Sequence, residues 1–116
     1  MQISNIQNRN SIEDALPYRA SDVRIASSLV LVLLDAEHYL SDPAYKKQRS
    51  SGTPALRNLW AFNSSGTKIW EAELPETNDY YYEIAALTPL TVRSFSGNTC
   101  ELDPRNGRIL RRTFNK

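Results

Sequence analysis

The sequence predicts a mainly β domain, built from two four-stranded antiparallel units with little helix. Three observations carry this. "NLWAFNSSGTKIWEAEL" (58–74) reads as two short strands about a turn, and "NTCELDPRNGRILRRTF" (98–114) says nearly the same thing again. Each is preceded by a strand-length run, "SLVLVLL" and "LTVRSF". The chain has 116 residues, one domain by length. Its units are placed at about 22–75 and 76–116, with residues 1–21 partly irregular.

Taken in order, "SIEDALP" (11–17) predicts one helical turn, Ser11 acting as N-cap and Asp14 at N3, cut short by Pro17. "SLVLVLLDAEHYL" (28–40) is apolar without alternation, the pattern of a strand covered on both faces. "SDPAYKKQRSSGTPAL" (41–56) predicts an exposed loop with a single helical turn after Pro43. In the first hairpin, Trp60 and Phe62 share one face, and Trp70, Ala72 and Leu74 share a face of the second arm. Asn63 opens its turn and Gly66 supplies a positive φ. Pro75 ends that arm. "YYYEIAAL" and "LTVRSF" then predict two strands around a Thr-Pro corner, and Asp103, Pro104 and Asn106-Gly107 build the last turn.

The two hairpins align Leu59 with Thr99, Phe62 with Leu102, Asn63 with Asp103, Gly66 with Gly107, Ile69 with Ile109 and Trp70 with Leu110, one extra residue falling in the second turn. An offset of about 40 residues is the period of a four-stranded propeller blade. On these residues, 25 to 116 resemble blades of the quinoprotein-like (PQQ-like) β-propellers, whose repeats carry an Asp, a turn, a Gly and an apolar strand often containing Trp. The resemblance implies two blade-like units forming a sandwich or an incomplete propeller. Such rings close with about 4 to 8 blades, so the cofactor and substrate sites of complete rings are not carried over, and Trp60 and Trp70 are assigned to the core.

Little in the sequence specifies catalysis. Asp35, Glu37 and the single histidine, His38, are adjacent, but neighbours on a strand diverge, and one His without companions is a poor ligand set. Cys100 is the only cysteine, which excludes an intrachain disulfide and a thiolate zinc cage, and it is expected to pack as a small apolar residue. No glycine-rich phosphate loop and no nucleophile elbow is present. The expectation is a non-enzyme without cofactor, metal or small-molecule substrate. "MQISNIQNRN" lacks the order of a signal peptide, and "LVLVLL" is far short of the ~20 residues of a bilayer span. A cytoplasmic protein without a membrane partner is expected.

Charge and tyrosine give the functional reading. Net charge is +1, yet residues 69–92 carry five carboxylates and no cation, while 93–116 carry six cations against two carboxylates. The acidic stretch holds three consecutive tyrosines, residues that give large contact area at low entropic cost. Glu71, Glu73, Glu76, Asp79, Tyr80, Tyr81, Tyr82 and Glu83 are therefore the predicted partner-binding residues, with the tyrosines as anchors and the carboxylates steering a basic partner. By type of sequence rather than shared motif, the chain resembles small bacterial immunity proteins of toxin systems, including contact-dependent growth inhibition. That resemblance implies a cognate toxin, such as a nuclease, whose active site the protein occludes. Two other readings stay open: a half-propeller subunit assembling by edge pairing, and an RNA-binding module using the basic C-terminal hairpin. The last is disfavoured because that hairpin lacks aromatic-and-basic interleaving.

Overall fold

A computed structural model describes residues 15–114. Most of the helical turn expected at 11–17 lies outside the described residues. Among the described residues eight strands fall into two sheets, each a simple antiparallel meander. The first contains β1 (Ala20–Ala26), β2 (Leu29–Leu34), β3 (Leu59–Phe62) and β4 (Lys68–Glu71); the second contains β5 (Tyr81–Leu87), β6 (Leu90–Ser94), β7 (Asn98–Leu102) and β8 (Ile109–Phe114). The sheets pack as a sandwich, so the mainly β expectation with two four-stranded units holds.

Two helices lie between β2 and β3, and here the sequence-based expectation needs correction. The run at 28–40 is not one strand: β2 stops at Leu34, and Asp35 caps α1 (Ala36–Leu40) by accepting from the Glu37 N–H at 3.0 Å. The expected loop at 41–56 holds a two-turn helix, α2 (Pro43–Ser50), with Asp42 as N-cap and Pro43 in its first turn. Pro is favoured there because its missing N–H would have no helical partner anyway. The helix escaped a periodicity reading because only Tyr45 is buried on it, too narrow a stripe to register. The turn signals read correctly. Asn63 Oδ1 accepts from the N–H groups of Ser65 and Thr67, and Gly66 takes φ +89°.

The packing has a phase that determines the architecture. Ala20, Val23, Val30, Val32, Trp60 and Phe62 share one face of the first sheet and pack beneath Tyr39 and Tyr45 of the helices. Leu31, Leu33, Leu59, Ala61, Trp70 and Ala72 are on its other face and meet the second sheet. β2 is thus buried from Val30 to Leu34 without a break, because both of its faces are covered. The second sheet contributes Tyr81, Ile84, Leu90, Val92, Cys100 and Leu102. By register these occupy the positions of Ala20, Val23, Val30, Val32, Trp60 and Phe62 in the first unit. The front of the second unit therefore sits on the back of the first, a head-to-tail stack rather than two like faces meeting. The helices cover the exposed front, and the exposed back is polar: Thr91 faces Glu101, Arg93 faces Thr99, and Thr99 faces Thr113.

The same registers correct the hairpin alignment. Ala61 pairs with Trp70 and Phe62 with Lys68, so Ile69 is an extra, bulged residue in β4. Glu101 pairs with Arg111 and Leu102 with Ile109, so Leu110 is its counterpart in β8. Ile69 thus corresponds to Leu110 and Trp70 to Arg111, one residue later than the sequence pattern suggested. The cause is the longer second turn combined with an identical bulge.

Polar groups on both sides of the sandwich fasten the units. Asn58, fully buried, donates from Nδ2 to the carbonyls of Leu34 and Tyr81 at 3.0 and 2.8 Å, and its Oδ1 accepts from the Tyr81 N–H at 2.9 Å. At the other side, the Glu73 N–H donates to the Gly107 carbonyl at 2.9 Å, and the Ile109 N–H donates to Glu73 Oε1 at 2.9 Å. Among the described residues no helix is long and apolar enough to cross a membrane.

Candidate functional site

The acidic, tyrosine-rich segment runs from the end of β4, along one side of the sandwich, into β5. Folding divides its eight candidate residues into three groups.

The carboxylates are largely answered from within the chain. Glu71 pairs with Lys68, whose ammonium also lies 3.5 Å from the Trp60 ring centroid. Glu83 pairs with Arg93 at 2.9 Å, and Glu76 lies 3.9 Å from Arg112, which also donates to the Pro75 carbonyl at 2.6 Å. Glu73 serves the inter-unit fastening described above. Two carboxylates of the acidic stretch, Glu83 and Glu76, thus meet cations of the basic C-terminal stretch across the fold, and Glu71 meets Lys68. Exposed pairs of this kind contribute about 0–1 kcal/mol each; their larger effect is to remove a one-signed field.

Asp79 and Tyr81 are structural. Asp79 is 3% exposed and accepts from the N–H groups of Tyr80 and Ser96 at 2.9 and 3.1 Å and from the Ser96 hydroxyl, which ties the entry of β5 to the β6–β7 turn. Tyr81 is buried in the inter-sheet core, and its hydroxyl donates to the Glu73 carbonyl. Burial pushes that phenol well above the usual tyrosine range.

Tyr80 and Tyr82 remain as surface aromatics. Tyr80 stacks on Phe95, centroids 5.1 Å apart and planes 16° from parallel, while the Phe95 N–H donates to the Tyr80 carbonyl at 2.9 Å. Phe95 is 62% exposed. This stack forms one wall of a cleft of about 470 Å³ whose other wall is Leu40, Tyr45, Lys46 and Arg49 of the helical pair, with Tyr39 also lining it. Arg49 donates to the Asn78 side-chain oxygen and to the Thr53 carbonyl, bridging α2 to the segment before β5. Tyr82, 56% exposed, lines a smaller groove of about 180 Å³ together with Tyr80 and Glu37, so Tyr80 forms the ridge between the two depressions. The Tyr39 oxygen is buried without a hydrogen-bond partner among the described residues, and burial pushes its phenol far up.

Phe95, Leu40 and Tyr45 were missed in the sequence. Phe95 did leave a signal: Leu90, Val92 and Ser94 are on the inward phase of β6, so Phe95 continues the polar outward phase of Thr91 and Arg93, where a large aromatic is out of place. Leu40 lies on α1, which the sequence did not disclose, and Tyr45 on α2, of which only a single turn after Pro43 was expected.

The other candidate chemistry resolves into structure. His38 is on α1 rather than a strand; its Nδ1 accepts from the Arg19 N–H at 2.9 Å, and Asp35 pairs with Arg19 at 2.8 Å. Among the described residues no group of three His, Cys, Asp or Glu could hold a metal. Cys100 is buried in the inter-sheet core, and burial pushes its thiol pKa up. A water-soluble aromatic disulfide reagent should therefore leave Cys100 untouched in the native protein and label it fully in denaturant. Rapid native labelling would mean that the units separate readily.

The model of a family described as a domain of unknown function, DUF7957, matches residues 4–114 of the chain. No curated protein and no solved structure matches it.

Proposed function

We propose that this chain, which belongs to the DUF7957 family, is a non-catalytic protein-binding protein of the toxin-immunity kind. It docks on a cognate toxin, a nuclease being the type favoured, and occludes the active site in the cytoplasm. The observation that carries this reading is the Tyr80–Phe95 stack with exposed Leu40 beside one concavity. Binding energy in protein interfaces concentrates in a few aromatic anchors set around such depressions. Both aromatics are held by framework: Tyr80 between Asp79 and β5, Phe95 at the end of β6. Such rigidity lowers the ordering cost of association.

The aromatic part of the sequence-based reading thus draws more support from the geometry than the acidic part. With Glu71, Glu83 and Glu76 near cations of their own, steering of a basic toxin surface rests on charge that is mostly spent. The head-to-tail stack supports kinship with quinoprotein-like blades, since one repeat's front covers the next repeat's back. The polar back of the second unit speaks against a further blade stacking there; it does not bear on the half-propeller reading, which assembles by edge pairing. The RNA reading has Arg105 and Arg112 of the C-terminal hairpin engaged in intramolecular contacts.

The test uses the purified product of the gene adjacent to this one. Phe95→Ala and Tyr82→Ala, both exposed side chains, should each weaken its binding by about 30-fold or more at unchanged melting temperature. Double reversal of Glu76 and Glu83 to Lys should change the association rate and its salt dependence by only a few-fold. If both aromatic variants bind like the wild type, the partner uses another face; if the adjacent product does not bind at all, the immunity reading fails.

A further inference from the structure

At the turn end of the sandwich, between the units, lies a cavity of about 670 Å³, within the range of small-molecule sites. It is distinct from the aromatic cleft and, among the described residues, has no aromatic lining. Its floor is core: Leu31 and Leu102 are 1% exposed. Its walls include Leu29 from β2 and Leu87 from β5. At its mouth are Ile69 and Leu110, 44% and 59% exposed. These two are the bulged residues of β4 and β8, at equivalent positions in the two units. A bulge re-aims a side chain at the cost of an unpaired residue, and bulges are concentrated beside functional sites. Here both units use one to bring a large aliphatic side chain to the same opening, where solvent exposure gains nothing.

We propose that this cavity is a binding site for an uncharged aliphatic chain. The occupant follows from the lining. The deep surface is leucine, and the rim hydroxyls of Ser27, Ser28 and Thr88 are neutral. Among the described residues the rim charges are one of each sign, and both face an opposite charge within the chain: Arg105 is bound to Asp103 through two nitrogens at 3.2 and 3.1 Å, and Glu101 stands opposite Arg111 in the β7–β8 ladder. An ionic headgroup therefore finds no net counter-charge. Sheets packed about 10 Å apart admit a slender chain more readily than a broad ring. The site stands independently of the protein-partner reading.

The experiment is titration of the full chain with 1-octanol, followed by amide NMR and calorimetry. Saturable one-to-one binding is expected, with shifts concentrated at Ser27–Leu31, Leu87–Leu90 and Arg105–Leu110. Toluene, comparably apolar but a ring, should bind at least about tenfold more weakly. The double variant Ile69→Ser with Leu110→Ser, which alters only exposed side chains, should fold and bind octanol about tenfold more weakly. Non-saturable uptake, equal binding by the double variant, or shifts centred on Tyr80 and Phe95 would each overturn the assignment.

Discussion

Asn58→Leu is expected to lower the free energy of unfolding by about 4 kcal/mol, a fall in melting temperature of roughly 15 °C for a domain of this size. Leucine matches asparagine in shape and increases apolar area, so a loss cannot be attributed to a cavity. What is lost is the pairing of three buried backbone groups: the Leu34 carbonyl and both the N–H and carbonyl of Tyr81. Each unsatisfied buried group costs about 1–3 kcal/mol, partly offset because the asparagine amide no longer has to be desolvated. The amide acts here as a one-residue strand, reading the edge of β5 from the foot of β3. Asn58→Asp should be no milder, since it points an oxygen at two carbonyls. Urea unfolding of the three proteins checks this. A loss below about 1 kcal/mol for the leucine variant would mean that apolar contact alone holds the units together.

Gly107→Ala is expected to cost about 3 kcal/mol. Gly107 sits at φ +75°, where a side chain carries a penalty of about 1–2 kcal/mol. A Cβ there would lie 2.5 Å from Trp70 Cε3 and 2.9 Å from Cδ2. The indole cannot simply retreat: its Nε1–H donates to the Pro104 carbonyl at 2.9 Å, and its ring is packed between the sheets. The same Gly107 carbonyl accepts from the Glu73 N–H, so a displaced turn also loosens that fastening. Coupling can be measured with Trp70→Leu, which removes the ring that clashes. The double variant should lose clearly less than the two single losses combined. Strict additivity would show that backbone strain, not the indole, sets the cost.

Much of the fold was legible because its signals are local. Asn63, Gly66, Asp103 and Gly107 mark their turns by residue type, and the unbroken apolar run of β2 announced two covered faces. The stacking phase was not legible. Phe62 and Leu102 hold the same place in the repeat, yet one faces the helices and the other the partner sheet. Alternation records only that a face is buried, not against what. The helices were hidden for a related reason, since α2 buries one tyrosine and keeps its cations in water.

The candidate site was half legible. Three adjacent tyrosines marked the segment, but strand alternation sends Tyr81 into the core and leaves Tyr82 outside. The carboxylates misled because their partners are distant in sequence: the Arg112 cation near Glu76, the Arg93 cation beside Glu83, and the backbone N–H of Ile109 on Glu73. A charge count along the chain sees a block of one sign; the folded chain brings the opposite block to it. Asp79 shows the limit most sharply. Counted as a steering charge, it is a buried turn fastener, and Asp79→Lys should unfold the protein rather than merely weaken a complex.

The central claim, that a protein partner seats on the Tyr80–Phe95 cleft, is tested most directly by hydrogen exchange on the complex with the adjacent gene's product. Protection is predicted to rise at Leu40–Ser50, Asn78–Tyr82 and Phe95–Gly97, with Leu90–Val92 of β6 and Cys100–Leu102 of β7 unchanged. Protection confined to those stretches of β6 and β7, or to the edge of β8, would contradict it.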